Sequence, residues 1–307
     1  MLIRSILEED YSQAVKIHNA QNEPHWHLTP EQMRRSDEVM LERAPHYQRY
    51  VAEKGKEVIA TGYLTPTWAG QSVSGRVWIS IFTRSDYRNT GVDTQLLEHA
   101  LSESELSIQE IWSCVREDFV PMSGYLEGFA EQFRSFGSEL HLSEFDAATI
   151  APLVKRLETE GVVTKHYADL SSDPDRDEKL LSLHAKTEAN APHHEPIIPQ
   201  HHPDIRNDDM DQNSVFVAVK DGKYVGYVGL EVDDRTKTGL AFLGVLRSYR
   251  NRGIGTVLGA RVAGYAKSSG YTALGTGGAK ENAAIQKVLR KLGFEIEPDW
   301  VTFAKTL

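Results

Sequence analysis

Apolar residues along the chain fall into short alternating or continuous blocks that predict strands, and into three- and four-residue spacings that predict helices. In the second half, Ser214 to Val219 reads as a strand, Asp221-Gly222 as a tight hairpin signal, and Tyr224 to Val232 as the returning strand. Thr238 to Leu246 is a third strand, Thr272 to Thr276 a fourth, and Trp300 to Phe303 a closing one. Between them, Ile254, Val257, Leu258, Val262 and Ala266 share one helix face, and Glu281 to Leu292 forms another helix. The first half follows the same order. Tyr50 to Ala52, a turn at Glu53 to Gly55, Val58 to Leu64 and the run Val77 to Phe82 precede a helix that presents Val92, Leu96, Leu97 and Ala100.

The likeness extends to residue identities. Tyr87-Arg88-Asn89-Thr90-Gly91-Val92 and Tyr249-Arg250-Asn251-Arg252-Gly253-Ile254 both follow an apolar run and open a helix. Each half ends on Gly-Phe, at Gly128-Phe129 and Gly293-Phe294. The chain therefore reads as two copies of one α/β unit, residues 1–146 and 165–307. A linker covers 147–164, with a helix over 149–160 that carries Leu153 and Leu157 on one side. The longest irregular stretch, 190–213, is rich in Pro, His, Asp and Asn and predicts a functional loop.

Composition narrows this picture only a little. A chain of 307 residues has material for two cores. A net charge of −10 gives no overall attraction to nucleic acid or an anionic membrane. No run reaches the roughly 18–20 apolar residues of a membrane span. The start of the chain lacks the basic head and apolar run of a signal peptide, and the single cysteine, Cys114, excludes an internal disulfide. The expected compartment is the cytoplasm.

Candidate chemistry lies in Arg250-Asn251-Arg252-Gly253-Ile254-Gly255, between a strand and a helix. Glycines let the backbone approach a diphosphate, the helix start offers N–H groups and a partial positive charge, and the arginines add full charges. No Lys-Ser/Thr follows, as a P-loop requires, and no third glycine completes a dinucleotide fingerprint. The pattern resembles the Arg/Gln-x-x-Gly-x-Gly/Ala signature of the GNAT superfamily of N-acetyltransferases, supported by Asn282 and by Lys291-Leu292-Gly293-Phe294.

The resemblance covers residues 165–307 well and 1–145 more faintly, as in tandem GNAT proteins with one worn copy. It implies two GNAT-like domains, each a mixed, mostly antiparallel sheet flanked by helices, and acetyl-CoA as co-substrate. Backbone groups of Leu243, Gly244 and Val245 would hold the pantetheine arm. Arg250, Asn251, Arg252, Gly253, Ile254, Gly255 and Thr256 would hold the pyrophosphate, and Asn282 would contact the thiol end. The oxyanion would rest on the Val245 N–H.

Three departures bear on activity. Leu289 stands where many members have a tyrosine that protonates the leaving thiolate. Glu231, at the end of a strand beside the cofactor strand, is the carboxylate placed to take the amine's proton through water, although a strand-end Glu is more often only solvated. In the first copy Asp93 replaces the second glycine and Thr90 an arginine, which predicts that a pyrophosphate is repelled there. His193-His194, His201-His202 and His25-Trp26-His27 are read as loop residues rather than a metal site, and Cys114 as a core thiol. The expected activity is transfer of acetyl to a primary amine of a small molecule in a ternary complex. A CoA-sensing module and a peptide acetyltransferase are the alternatives.

Overall fold

Each of the apolar runs preceding the twin turns becomes a strand with an antiparallel partner on one side and a parallel one on the other. The computed structural model describes residues 1–22, 27–44, 46–68, 71–189, 210–231 and 237–307. His25, Trp26, the histidine pairs at 193–194 and 201–202, and Asp233 and Asp234 lie outside these residues. The chain forms two units, Met1–Arg134 with Pro298–Leu307, and Ser135–Glu297.

The first unit begins with β1 (Leu2–Ser5), α1 (Tyr11–Asn19) and α2 (Pro30–Arg43). Thr29 caps α2: its hydroxyl accepts the Gln32 N–H at 3.2 Å and the Gln32 side chain accepts the Thr29 N–H at 2.8 Å. Strands β2 (Gln48–Lys54) and β3 (Glu57–Thr65) form the hairpin, a short pair β4 (Thr67–Trp68) and β5 (Gln71–Ser72) stands apart, and β6 (Arg76–Thr83) follows. Helix α3 (Val92–Ser102) then leads to β7 (Glu110–Arg116). The sheet runs β1-β2-β3-β6-β7, antiparallel except for β6 with β7. Val92, Leu96, Leu97 and Ala100 of α3 are buried against it, the face that the spacing predicts.

Strand β8 (Ala130–His141) enters the second unit at Ser135 and is followed by α4 (Ala151–Thr159), β9 (Val162–His166) and α5 (Arg176–Glu188). A meander of β10 (Met210–Lys220), β11 (Lys223–Glu231) and β12 (Lys237–Val245) leads into α6 (Ile254–Ser268). Strand β13 (Ala273–Ala279), α7 (Ala283–Leu292) and β14 (Glu295–Ile296) complete it. The order is β9-β10-β11-β12-β13-β8, again with one parallel pair, β12 with β13. The predicted α6 face is buried throughout, its Ile, Val and Leu side chains each contributing about 1.5–3 kcal/mol.

Three features differ from the sequence expectation. The last strand, β15 (Trp300–Thr306), pairs with β7 of the first unit, and residues 135–141 of β8 pair with β13 of the second. The closing strands are thus exchanged between the halves, because alternation identifies a strand but not its partner. The expected linker helix also belongs to the second unit, where Leu157 is buried in the core. Strand β10 begins at Met210, inside the stretch read as a loop. No helix among the described residues is long and apolar enough to cross a membrane.

The exchange predicts that ending the chain at Asp299 strips β7 of a neighbour. Hydrogen exchange should speed up roughly tenfold or more in β7 and stay unchanged in β13. The reverse result would place β15 in the second unit.

Candidate functional site

Strands β12 and β13 pair at only three positions, Lys237↔Ala273, Thr238↔Leu274 and Gly239↔Gly275, and then part. Beyond this point β12 keeps β11 and β13 keeps β8. The Leu246 N–H donates to the Val225 C=O at 2.9 Å, which sets the phase of the antiparallel ladder. By alternation Gly244 bonds Tyr227 of β11, while the backbone groups of Leu243 and Val245 turn toward the gap. The Arg250 Nε donates to the Val245 C=O at 3.0 Å, leaving the Val245 N–H facing the opening.

A cavity of about 490 Å³ fills that gap. Leu243, Gly244, Val245, Arg250, Asn251, Gly253, Ile254, Gly255, Thr256 and Asn282 all line it. Three cationic side chains reach its wall, Arg250, Lys287 and Lys291, and among the described residues no Asp or Glu does. In a chain of net charge −10 this is a local inversion of sign, suited to an anion.

The turn is built for such a ligand. Asn251 at φ 63° and Gly253 at φ 92° are left-handed, and Gly253 starts α6 with no side chain capping the helix. The first N–H groups of α6 therefore lack helical acceptors. Gly253 is also held by packing, since a Cβ there would lie 2.7 Å from Leu153 of α4. Gly255 is different: a Cβ would sit 3.5 Å from Leu243 and Val288, which is ordinary contact. Packing does not demand glycine at 255, and the absent side chain leaves room at the cavity wall.

Other expected residues sit elsewhere. Arg252 is exposed, stacks 5.5 Å over Tyr249 and gives its C=O to Arg156 of α4 at 2.6 Å; it is not on the cavity wall. Glu231 is exposed at the end of β11 opposite Met210, and is not on the wall either. Asn282 is on the wall, and its Oδ1 caps α7 by accepting the Ile285 N–H at 3.3 Å. Leu289 is 0% exposed and faces the core, whereas its neighbour Val288 lines the cavity.

Sequence reasoning missed the opposite wall. Thr187 of α5 and the stretch Thr276 to Ala279 line the cavity. Glycines inside a strand pattern, Gly275, Gly277 and Gly278, are a signal for close approach. Behind Thr187 lies a buried cluster. His184, 1% exposed, hydrogen-bonds the Tyr227 hydroxyl through Nδ1, and its Nε2 lies 3.5 Å from Glu188. Phe242, on the cavity wall, stacks on Tyr227 at 5.0 Å. Burial, and then the Glu188 charge, push the Tyr227 phenol up, so it stays protonated.

The first unit repeats the geometry of the turn. Asn89 (φ 59°) and Gly91 (φ 79°) match Asn251 and Gly253, and β6 and β7 pair in parallel at three positions before parting. Asp93 does not face an open pocket as expected. It is 4% exposed and accepts the Tyr125 N–H at 3.0 Å.

Two α/β units that each split a parallel pair above a left-handed glycine turn define one fold present twice. The chain matches the acetyltransferase (GNAT) family over residues 4–127 and 181–294, and belongs to that family as a tandem, two-domain member. No curated protein sequence matches it. Among solved structures, a GCN5-related N-acetyltransferase from Sphaerobacter thermophilus is similar with a TM-score of 0.68 and 15% identity, over 99% of this chain and 95% of that one. A tandem GNAT protein of the clavulanic acid biosynthesis pathway, solved without AcCoA, gives 0.60 at 14% identity over 99% and 98%. An acetyltransferase from the GNAT family of Colwellia psychrerythraea gives 0.57 at 12% identity over the whole of both chains. These likenesses establish the fold.

Gly253→Ala should cost about 1–2 kcal/mol for the left-handed backbone alone, and more for the overlap with Leu153. In denaturant titrations, adding Leu153→Ala should relieve the overlap but not the backbone cost. Full recovery in the double variant would show that packing alone requires this glycine.

Proposed function

We propose that the second unit binds acetyl-CoA and transfers its acetyl group to a primary amine of a small molecule. One observation carries this reading: the cavity between β12 and β13 joins an unpaired strand edge to an anion cradle, with three cations and no carboxylate among the described residues of its wall. The Leu243 and Val245 backbone suits the amide-bearing arm. Arg250 and the turn from Asn251 to Thr256 take the diphosphate, with Arg252 as a flanking charge outside the wall, and Asn282 sits toward the thiol end.

The amine nitrogen attacks the thioester carbonyl while the Val245 N–H holds the oxygen as it gains charge. The new C–N bond replaces the C–S bond, and the amine's proton passes to water, since Glu231 is not on the wall and no other described carboxylate is. The sulfur takes a proton from solvent. A free thiol has a pKa of about 8.5, so the leaving group tolerates the missing hydroxyl at Leu289. Lys287 and Lys291, one turn apart on α7, suit the ribose 3′-phosphate, the charge left over once the turn holds the diphosphate.

A CoA-sensing module is the second reading, favoured by the absence of any described carboxylate on the wall and by the buried Leu289. Thiol release from acetyl-CoA against a panel of amines and lysine-bearing peptides separates the readings. Turnover on a small amine supports the first; CoA binding without turnover on anything supports the second.

Gly255→Asp should weaken CoA binding at least about tenfold by placing a carboxylate at the cradle, with melting temperature almost unchanged because the Cβ has room. Unaltered affinity would remove the diphosphate from this turn. Replacing Lys287 and Lys291 by Ala should weaken CoA about tenfold and dephospho-CoA much less. An equal loss for both ligands would move the lysines to the diphosphate.

A further inference from the structure

In the second unit the parted strands leave an open cavity, whereas in the first the same gap is occupied by the chain itself. Tyr125, 3% exposed, lies in a short turn that follows β7. Its hydroxyl meets Ser113 Oγ of β7 at 2.8 Å and the backbone N–H of Ile81 of β6. By the alignment of the twin turns, Ile81 stands where Leu243 does; by the register of the parallel pairs, Ser113 stands where Gly277 does. Leu243 and Gly277 both line the open cavity. The phenol therefore sits where the second unit has room for the ligand's arm.

The helix start and the arginine of the turn are also engaged within the first unit. Asp93 stands at the position of Gly255, and its carboxylate lies at the start of α3, accepting the Thr94 N–H at 3.0 Å and the Tyr125 N–H at 3.0 Å. It puts a negative charge at the helix start, the place of a phosphate. The Thr83 C=O accepts from Gln21 at 3.0 Å, and is satisfied within the chain as its counterpart, the Val245 C=O, is by Arg250. Arg88, counterpart of Arg250, points to Met122 Sδ at 3.5 Å and stacks 5.3 Å over Phe119, in the segment that carries Tyr125. Where the second unit places the ten-residue helix α7, the first has two short turns containing Pro121 and Gly124.

We propose that the first unit is self-liganded, with the Asp93 carboxylate standing in for the diphosphate and the Tyr125 phenol for the acyl-bearing arm, so that the chain takes up one CoA and not two. This rests on the reading of the second unit as the CoA site. It changes the role of Asp93 from a charge that repels a ligand to the anion already in the seat.

The test combines hydrogen exchange with calorimetry on the full chain. Without ligand, the Ile81 amide should exchange about tenfold more slowly than the Leu243 amide, and Tyr125→Phe, which keeps the ring, should erase that difference. Calorimetry with CoA should give one equivalent for the unaltered chain and for Asp93→Gly. Asp93→Gly combined with Tyr125→Gly should approach two equivalents, the second bound more weakly. Two equivalents in the unaltered chain or in Asp93→Gly would overturn the proposal, as would one equivalent in a folded double variant. If the double variant does not fold, protection of Leu243 but not Ile81 on adding CoA to the unaltered chain decides in favour, and protection of both decides against. Absence of CoA binding in every protein would defeat the proposed function, while the exchange rates without ligand still test the self-liganded site.

Discussion

A parallel pair of strands that separates leaves backbone N–H and C=O groups that something must satisfy. Both units depend on this constraint. In the second, the parting of β12 and β13 after Gly239 and Gly275 creates an edge, and the turn at Arg250 to Gly255 sets an anion seat at its far end. In the first, the same parting of β6 and β7 is closed by a phenol and a carboxylate of the chain itself. The two turns share their backbone angles, while the occupants of the two gaps differ.

The elements around the seat stiffen it from outside. Helix α4 presses Leu153 against Gly253 and ties the Arg252 C=O through Arg156, so the turn is held on the side away from the cavity. Helix α5 braces β12 on its other face, where Thr187 meets the strand at Gly244 and the His184–Tyr227 bond holds the layer behind it. Rigid backing of this kind fixes N–H groups before a ligand arrives, which is what electrostatic stabilisation of a developing charge requires.

Much of this was legible in the sequence where a local rule applies. The helix faces, the hairpin at Asp221-Gly222, the twin turns and the glycine cradle follow from period, turn chemistry and helix-start electrostatics. What failed was non-local. The sequence marked a closing strand at Trp300 to Phe303 but not that it pairs in the first half, and it marked no strand at 135–141, which pairs in the second. Glu231 sits near the right strand in sequence, yet it lies at an exposed end away from the cavity wall. The role of Asp93 could not be read because it depends on Tyr125, 32 residues on, folding back into the gap.

The exchange of closing strands sets an order of completion during synthesis. The unit made first contains β7, whose partner β15 is made only after the whole of the second unit. The second unit contains nothing beyond Glu297, so it has all its strands before the first does. Until β15 emerges the N-terminal sheet carries an unpaired edge at β7, the kind of surface that invites wrong pairing and chaperone attention. The older half of the nascent chain is therefore the later one to finish, and its folding is timed by the arrival of β15.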